Sequence, residues 1–310
     1  MKLNYIPIIK ILISAGLLIF IWNKINIEEI VILLSLLDLI DWITMFIVIT
    51  FVNFIAAFRW NLILSNLNIN LPFKNYIKFF YLGNFLNQVL PTSTIGDGFR
   101  VWSLYKEGNN FKISFHGVIF DRIIPLTSLI IIIIFILYPL FLITNEFIIF
   151  YFSLSFVFFL ILIFFLLKLL LKISYKLSQF NLLTKFLSFL RELYISFKLQ
   201  LRNIIPIILG IIGFCTMAIM ISFIANKMSI ELDIWTSLVL IPPVFLVMSI
   251  PISLAGWGTR EYSMVIALSY VGISSEQALS ISIAFGLINL MGTFPALIFS
   301  KHLFKNIKDI

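Results

Sequence analysis

The chain of 310 residues is 61% hydrophobic and only 12% charged, with a mean hydropathy of +1.11. Soluble domains carry about 25% charged residues, so a water-soluble globule is excluded and a polytopic membrane protein is expected. The formal charge of +8 would point to nucleic acid in a soluble chain. In a membrane chain it is first a topology signal, because cytoplasmic loops gather Lys and Arg. A single Cys215 and two distant histidines, His116 and His302, leave neither an internal disulfide nor a protein-only metal cluster. Phosphate-loop and dinucleotide motifs are absent.

The amino terminus, Met1 and Lys2 before an apolar run to Trp22, has the outline of a signal peptide. Asn23, Lys24, Ile25 and Asn26 offer no small-x-small cleavage site, so residues 6–22 are expected to stay as a first span. Apolar stretches at about 40–58, 123–144, 147–171, 204–224 and 279–299 bring the expected full spans to six. Two more stretches, 76–90 and 234–250, stop at Pro91 and Pro251, turn through glycines and resume as short pieces, 99–105 and 262–271. This pattern predicts two re-entrant helical hairpins, a backbone allowed at membrane depth only where protein buries it or a cavity borders it. Between the halves, 172–203 sets Asn181, Thr184, Lys185, Ser188 and Arg191 opposite Leu183, Phe186, Leu187 and Leu190. That segment reads either as a basic amphipathic helix on the cytoplasmic leaflet or as a connector whose charges only set topology.

The two breaks are copies of one another. Residues 90–104 laid on 250–264 align Pro91 with Pro251, Ser93 with Ser253, Gly96 with Gly256, Gly98 with Gly258, Arg100 with Arg260 and Ser103 with Ser263. These six identities in fifteen ungapped columns fall on Pro, Gly, Ser and Arg rather than on the abundant Ile and Leu, which marks an internal duplication. The copies span about 40–145 and 200–300. With both termini cytoplasmic and both hairpins re-entrant, 18 of the 22 Lys and Arg face the cytoplasm. Three full spans then separate the start of one copy from the start of the next, which inverts the second. The expected fold is an all-α single integral membrane domain with six spans and two hairpins arranged as an inverted repeat, a recurring transporter design.

Each hairpin carries Gly-x-Gly-x-Arg, as Gly96-Asp97-Gly98-Phe99-Arg100 and Gly256-Trp257-Gly258-Thr259-Arg260. Glycines let a backbone turn sharply and approach another closely. The helix that follows presents free N–H groups and a positive dipole end, and an arginine one turn in adds a forked donor suited to phosphate. Two such ends, one from each leaflet, would make a cationic midplane cavity in which Arg100, Arg260 and Arg122 hold a lipid phosphate. The plain alternative is that the glycines only pack the hairpins and the arginines pair locally: Asp97 capping its helix, Asp121 bonding Arg122, and Glu261 neutralising Arg260. Pro91, Gly96, Gly98, Pro251, Ser253, Gly256 and Gly258 read as the architecture of the turns. Asn84, Asn87 and Gln88 recur on one helical face and are expected to line the cavity.

Taken together, Asn87, Leu90-Pro91, Gly96-Asp97-x-x-Arg100, Asp121-Arg122, Pro251-x-Ser253 and Gly256-x-Gly258-x-Arg260-Glu261 resemble the lysylphosphatidylglycerol synthase transmembrane-region family. This is the flippase-like module of the multiple peptide resistance factor, found also as stand-alone proteins. The resemblance covers nearly the whole chain and departs from the family's usual glycines at Ile95 and Ala255. It implies a multi-pass plasma-membrane protein that moves lipids, notably aminoacylated phosphatidylglycerol, between leaflets beside a separate lipid-modifying enzyme or glycosyltransferase. The soluble aminoacyl-transferase domain is not expected, so the resemblance implies the transport half and no enzyme, with membrane lipids as partners and no cofactor. The substrate would be an anionic or aminoacylated phospholipid or a polyprenyl-phosphate-linked lipid. Two other functions stay open. One is a membrane-embedded polyprenyl-phosphate-dependent glycosyltransferase, for which Glu28-Glu29 and Glu231-x-Asp233 are the available acids. The other is a non-transporting partner subunit of a lipid-modifying enzyme.

Overall fold

The computed structural model describes residues 26–90, 94–147, 204–250 and 256–299, with isolated helical residues between 151 and 165. The expected first span, most of the 147–171 span, the 172–203 linker and the turn residues Pro91, Pro251 and Ser253 lie outside the described residues. Every regular element among the described residues is an α-helix: α1 Ile27–Ser35, α2 Leu39–Asn66, α3 Phe73–Val89, α4 Ile95–Lys106, α5 Phe111–Thr144, α6 Ile204–Lys227, α7 Ile234–Ser249, α8 Thr259–Ser269, α9 Ser275–Met291 and α10 Ala296–Phe299.

Helix starts follow from local chemistry. Asp38 and Asp41 exchange bonds with each other's backbone N–H groups to cap α2, and Ser274 and Gln277 do the same for α9. Asn26 and Asn110 accept backbone N–H groups at the starts of α1 and α5. Among the described residues, four stretches are long and apolar enough to cross a membrane: α2, α5, α6 and Ser275–Phe299. Two of them outrun the apolar stretches in the sequence. α2 continues past 58 to Asn66, and α5 already begins at Phe111. Hydropathy does not see these extensions because protein, rather than lipid, covers them. Trp60 and Leu64 of α2 pack on Gly117 of α5, where the Trp60 ring N–H donates to the Gly117 carbonyl at 3.3 Å.

The order of elements occurs twice: a long helix, two short helices around a break, and a second long helix. Contacts repeat with it. α2 packs on α3, α3 on α4 and α4 on α5, as α6 packs on α7, α7 on α8 and α8 on α9. The halves then exchange partners, α5 resting on α6 and α9 on α2, with α2 against α6 at the centre. These two central helices run antiparallel. The Asp41 carboxylate meets the Lys227 ammonium at 2.7 Å near one end, Gly213 faces Val52 midway, and Gly210 lies beside Arg59 further along. Gly210 also admits Ser128 of α5, since a methyl there would fall 2.3 Å from its Oγ; small residues allow such close approach between helices in membranes. The main buried cluster joins α2, α5, α6, α7, α8 and α9, and a second is built where α3 and α4 lean on Trp60 and Leu64. Large apolar side chains such as Leu39, Ile47, Phe51, Phe135 and Ile298 cover the outside, a surface suited to acyl chains.

The aligned glycines of the two breaks do different work. In the second, Gly256 and Gly258 hold φ of +85° and +88°, the left-handed region, and turn the chain into α8. In the first, Gly96 and Gly98 lie within α4 itself. A methyl group on Gly96 would stand 1.9 Å from the Gly83 carbonyl oxygen, so this glycine exists for the close crossing of α3 and α4. Around Gly98 there is nothing within 4 Å. Gly96→Ala is therefore expected to destabilise the protein by about 1–3 kcal/mol through overpacking. Gly98→Ala gains about 0.5–1 kcal/mol of helix stability instead. Thermal unfolding of the purified variants checks both signs.

Candidate functional site

A cavity of about 670 Å³ opens between the halves, bordered by α2, α3, α4, α5, α6, α7 and α9. Its charged wall is a continuous chain of five side chains. Arg59 of α2 meets Asp121 of α5 at 3.1 Å, and Asp121 meets Arg100 of α4 at 2.6 Å. Arg100 lies 3.7 Å from Asp97, and Asp97 takes Arg122 of α5 at 2.8 Å. Signs alternate along the chain, so each carboxylate, the buried Asp121 and the partly exposed Asp97, has a cation on both sides. This is the condition under which ionisable groups are tolerated inside a membrane protein.

The three arginines differ in access. Arg100 is 2% exposed and lies flat on Trp60, its guanidinium carbon 4.0 Å from the ring centre, with Phe80 at 5.1 Å. That stacking adds a cation–π attraction that a desolvated site strengthens. Gly83 makes room for its stem, since a methyl there would fall 2.6 Å from Arg100 Cδ. Arg59 is 12% exposed and Arg122 55%. The wall therefore grades from a locked, buried cation to an accessible one.

Amides form the rest of the polar lining. Asn87 clamps the first hairpin: its Oδ1 accepts the Gly96 N–H at 2.8 Å and its Nδ2 donates to Asp97 at 3.3 Å. Asn84 donates to Asn53 at 3.5 Å, and Asn53 donates to the Gly292 carbonyl at 3.0 Å, tying α3, α2 and the end of α9 together. Gln88 and Asn289 complete this face.

The second arginine does not join the first. Arg260 and Glu261 are absent from the described lining of the cavity, to which the second hairpin brings Gly256. Arg260 is 3% exposed, stacks on Trp257 at 4.4 Å, donates from Nε to Glu261 at 3.0 Å and lies 3.3 Å from Ser282 Oγ. Gly286 leaves space for the guanidinium, where a methyl would stand 2.1 Å from Nη2. Glu261 also accepts the Gly258 N–H at 2.6 Å, so this group pins the turn. The sequence places an anion at the two helix starts; there Asn87 takes the Gly96 N–H and Glu261 takes the Gly258 N–H, so a side chain of the protein already engages each start.

Of the sequence-derived residues, Arg100, Arg122, Asp97, Asp121, Asn84, Asn87 and Gln88 converge on the cavity. The ion pairs cross over from the local pairing considered above: Asp97 is bound by Arg122 rather than serving as a cap, and Asp121 is shared by Arg59 and Arg100. Glu261 does neutralise Arg260. Arg59, Trp60, Asn53 and Asn289 were not singled out. A signal for two of them exists, since Asn53, Ala56 and Arg59 recur every three residues and so share one helical face. Of the acids weighed for transferase chemistry, one has a structural use. Asp233 caps α7, and hydrogen bonds from the Thr236 hydroxyl and N–H hold its carboxyl below the usual carboxylate range. Among the described residues, no group of three or more His, Cys, Asp or Glu gathers to hold a metal ion.

Apolar spanning helices around a charged interhelical cavity define a multi-pass helical membrane protein. Comparison with known families matches residues 8–296 to the Lysylphosphatidylglycerol synthase TM region, and the chain belongs to that family. No curated protein and no solved structure matches it.

The shared carboxylate gives a quantitative test of the charged wall. Asp121→Leu strands Arg59, leaves Arg100 with Asp97 at 3.7 Å, and is expected to cost about 3–5 kcal/mol. Adding Arg100→Met removes one of the two charges that lose Asp121, so the double variant falls short of the summed losses by about 0.5–3 kcal/mol. Unfolding midpoints of the four proteins measure the difference, and simple additivity would contradict the geometry.

Proposed function

We propose that the protein is a flippase- or scramblase-like transporter that passes the phosphate headgroup of a lipid between leaflets. The candidate substrates are an anionic or aminoacylated phospholipid and a polyprenyl-phosphate-linked lipid. The observation that carries this reading is the cavity of about 670 Å³ with Arg59, Arg100 and Arg122 in its wall. Guanidinium groups suit phosphate by charge and by their forked donors. Membership of the Lysylphosphatidylglycerol synthase TM region family supports a lipid substrate.

The incoming phosphate competes with Asp97 for Arg122, the most accessible of the three arginines, and then reaches Arg59. Arg100, held by Trp60 and Asp121, sets the position of the wall behind them. Arg260 acts at a distance by fixing the second turn through Glu261. Acyl or prenyl tails stay in the bilayer while the headgroup crosses.

The antiparallel pairing of α2 with α6 and the exchanged contacts of α5 and α9 support an inverted repeat covering about 40–145 and 200–300. Rocking of one copy against the other would open the cavity to each leaflet in turn. The loop charges support six spans with two re-entrant hairpins and both termini cytoplasmic; the family resemblance is what suggests the plasma membrane. Without a nucleotide motif, a lipid gradient, the membrane potential or an ion gradient would drive net movement.

Proteoliposome assays of headgroup translocation test the proposal. Losing one charge-assisted contact of about 1.5–3 kcal/mol slows transport roughly ten- to a hundredfold in Arg122→Ala, and similarly in Arg59→Ala. Translocation at the wild-type rate in both stably folded variants would overturn it.

A further inference from the structure

We infer that Asp41 and Lys227 form a latch that shuts the cavity off from the outer leaflet, and that the pair must part for a headgroup to leave on that side. The inference rests on the transporter reading and names the gate within it.

The cavity is one-sided. On α2 its described lining begins at Ile49 and runs to Arg59, and on α6 it spans Leu209 to Met217. Asp41 and Lys227 lie beyond those limits, about 12 Å from Ile49 and about 15 Å from Met217 at a helical rise of about 1.5 Å per residue. The other long arms repeat the pattern: on α5, α7 and α9 the described lining stops at Leu129, Phe245 and Phe285, short of Thr144, Ile234 and Ser275. The intervals are filled. Met45, Ile133, Ile221, Ile224, Ile241 and Ile281 are all buried in the main apolar cluster. A phosphate headgroup crosses such a close-packed apolar layer only if the helices separate. At the opposite end Arg122 is 55% exposed, so access lies there, on the side to which the loop charges assign the cytoplasm.

The pair sits at the far edge of this layer and joins the two halves. Asp41 Oδ1 meets Lys227 Nζ at 2.7 Å, while Oδ2 accepts the Asp38 N–H at 3.3 Å at the start of α2. The Arg59–Asp121–Arg100–Asp97–Arg122 chain lies within the first half instead, and Arg260–Glu261 within the second. Lys227 is carried on a firm body. The Ser222 hydroxyl and the Asn226 amide both donate to the Leu232 carbonyl, at 2.6 and 2.8 Å, and the Ser237 hydroxyl donates to the Ala218 carbonyl at 2.6 Å. α6 therefore takes the start of α7 with it. Exposure sets how easily each tie opens. Asp121 and Arg100 are buried, where separating the charges is costly. Lys227 is 46% exposed, so water replaces its carboxylate partner at small cost. A tie that joins two bodies, borders the seal and opens cheaply has the properties of a latch.

Thiol labelling of the full chain in proteoliposomes tests it, with Cys215→Ser as background and Met45→Cys or Ile224→Cys as reporters in the seal. A membrane-impermeant maleimide applied at the Lys227 end reacts slowly with either reporter. Lys227→Gln is expected to speed the reaction roughly three- to tenfold, and Lys227→Arg to leave it slow. High salt screens the half-exposed pair, so it speeds labelling of the parent and leaves Lys227→Gln unmoved. Leu104→Cys, buried in the other apolar cluster, reports general loosening and stays unlabelled. An unchanged rate in Lys227→Gln, or equal speeding at Leu104→Cys, overturns the latch. Joining Asp41→Cys to Lys227→Cys with a reducible bis-thiosulfonate ties the halves together. Movement of fluorescent phosphatidylglycerol and lysyl-phosphatidylglycerol is then expected to stop, and to resume on reduction. The two ideas fail separately. Labelling as expected, with neither lipid moved by the unbridged protein, overturns the transporter reading alone, and undiminished movement in the bridged protein overturns the latch alone.

Discussion

Asp121 receives a guanidinium on each of its oxygens, Arg59 from α2 and Arg100 from α4. Three helices are thereby held at one buried point. The constraint behind this is general: a charge far from water needs a partner within hydrogen-bond reach, and a lone charge is far costlier than a pair. Once Arg100 is fixed there, its flat face rests on Trp60, Trp60 rests on Gly117 of α5, and Gly83 must stay bare to let the arginine stem pass. The first hairpin thus follows from the charge pattern as much as from its own turn. Asn87 adds a clamp across the break, binding both the Gly96 N–H and Asp97.

The second hairpin solves the same problem with different residues. Its arginine also has an aromatic face and a carboxylate, but Trp257 and Glu261 both lie within three residues of it in the chain. At the 160-residue offset, Asp97 corresponds to Trp257, Asp121 to Ile281 and Arg122 to Ser282. The long-range acid that ties the first hairpin to α5 therefore has no counterpart in the second, and a neighbouring glutamate takes over. The two halves share their element order and their contacts while concentrating charge in one of them. The asymmetry gives the cavity an arginine-rich wall on the side of α2, α4 and α5 and an amide-bearing face shared by α3 and α9.

Much of the architecture was legible because membrane helices must satisfy their backbone internally and bury few charges. The apolar stretches near 40–58, 123–144, 204–224 and 279–299 correspond to helices long enough to span a bilayer. The two Pro–Gly breaks correspond to paired short helices. The ends were less legible: 59–66 and 111–122 are helical because α2 and α5 cover one another, a contact between residues far apart in the chain. At the site, Arg100, Arg122, Asp97, Asp121 and the amides of α3 stood out as polar residues in apolar surroundings. Arg59 read only as the border of a span. Its role depends on a carboxylate 62 positions later, which periodicity does not encode.

The sequence by itself determined the environment, the order of helices, the duplication and the residue types able to meet a phosphate, because each of these is written in local composition and spacing. Only the tertiary structure decided which charges meet. It paired Asp97 with Arg122 and Asp121 with Arg59 and Arg100. It gave the aligned Gly96 and Gly256 unlike tasks, one a helix crossing and the other a left-handed turn. It also put Arg100 in the cavity wall while Arg260 was closed off behind Glu261. The physical reason is that a buried charge chooses its partner by three-dimensional reach, and reach is set by how helices cross.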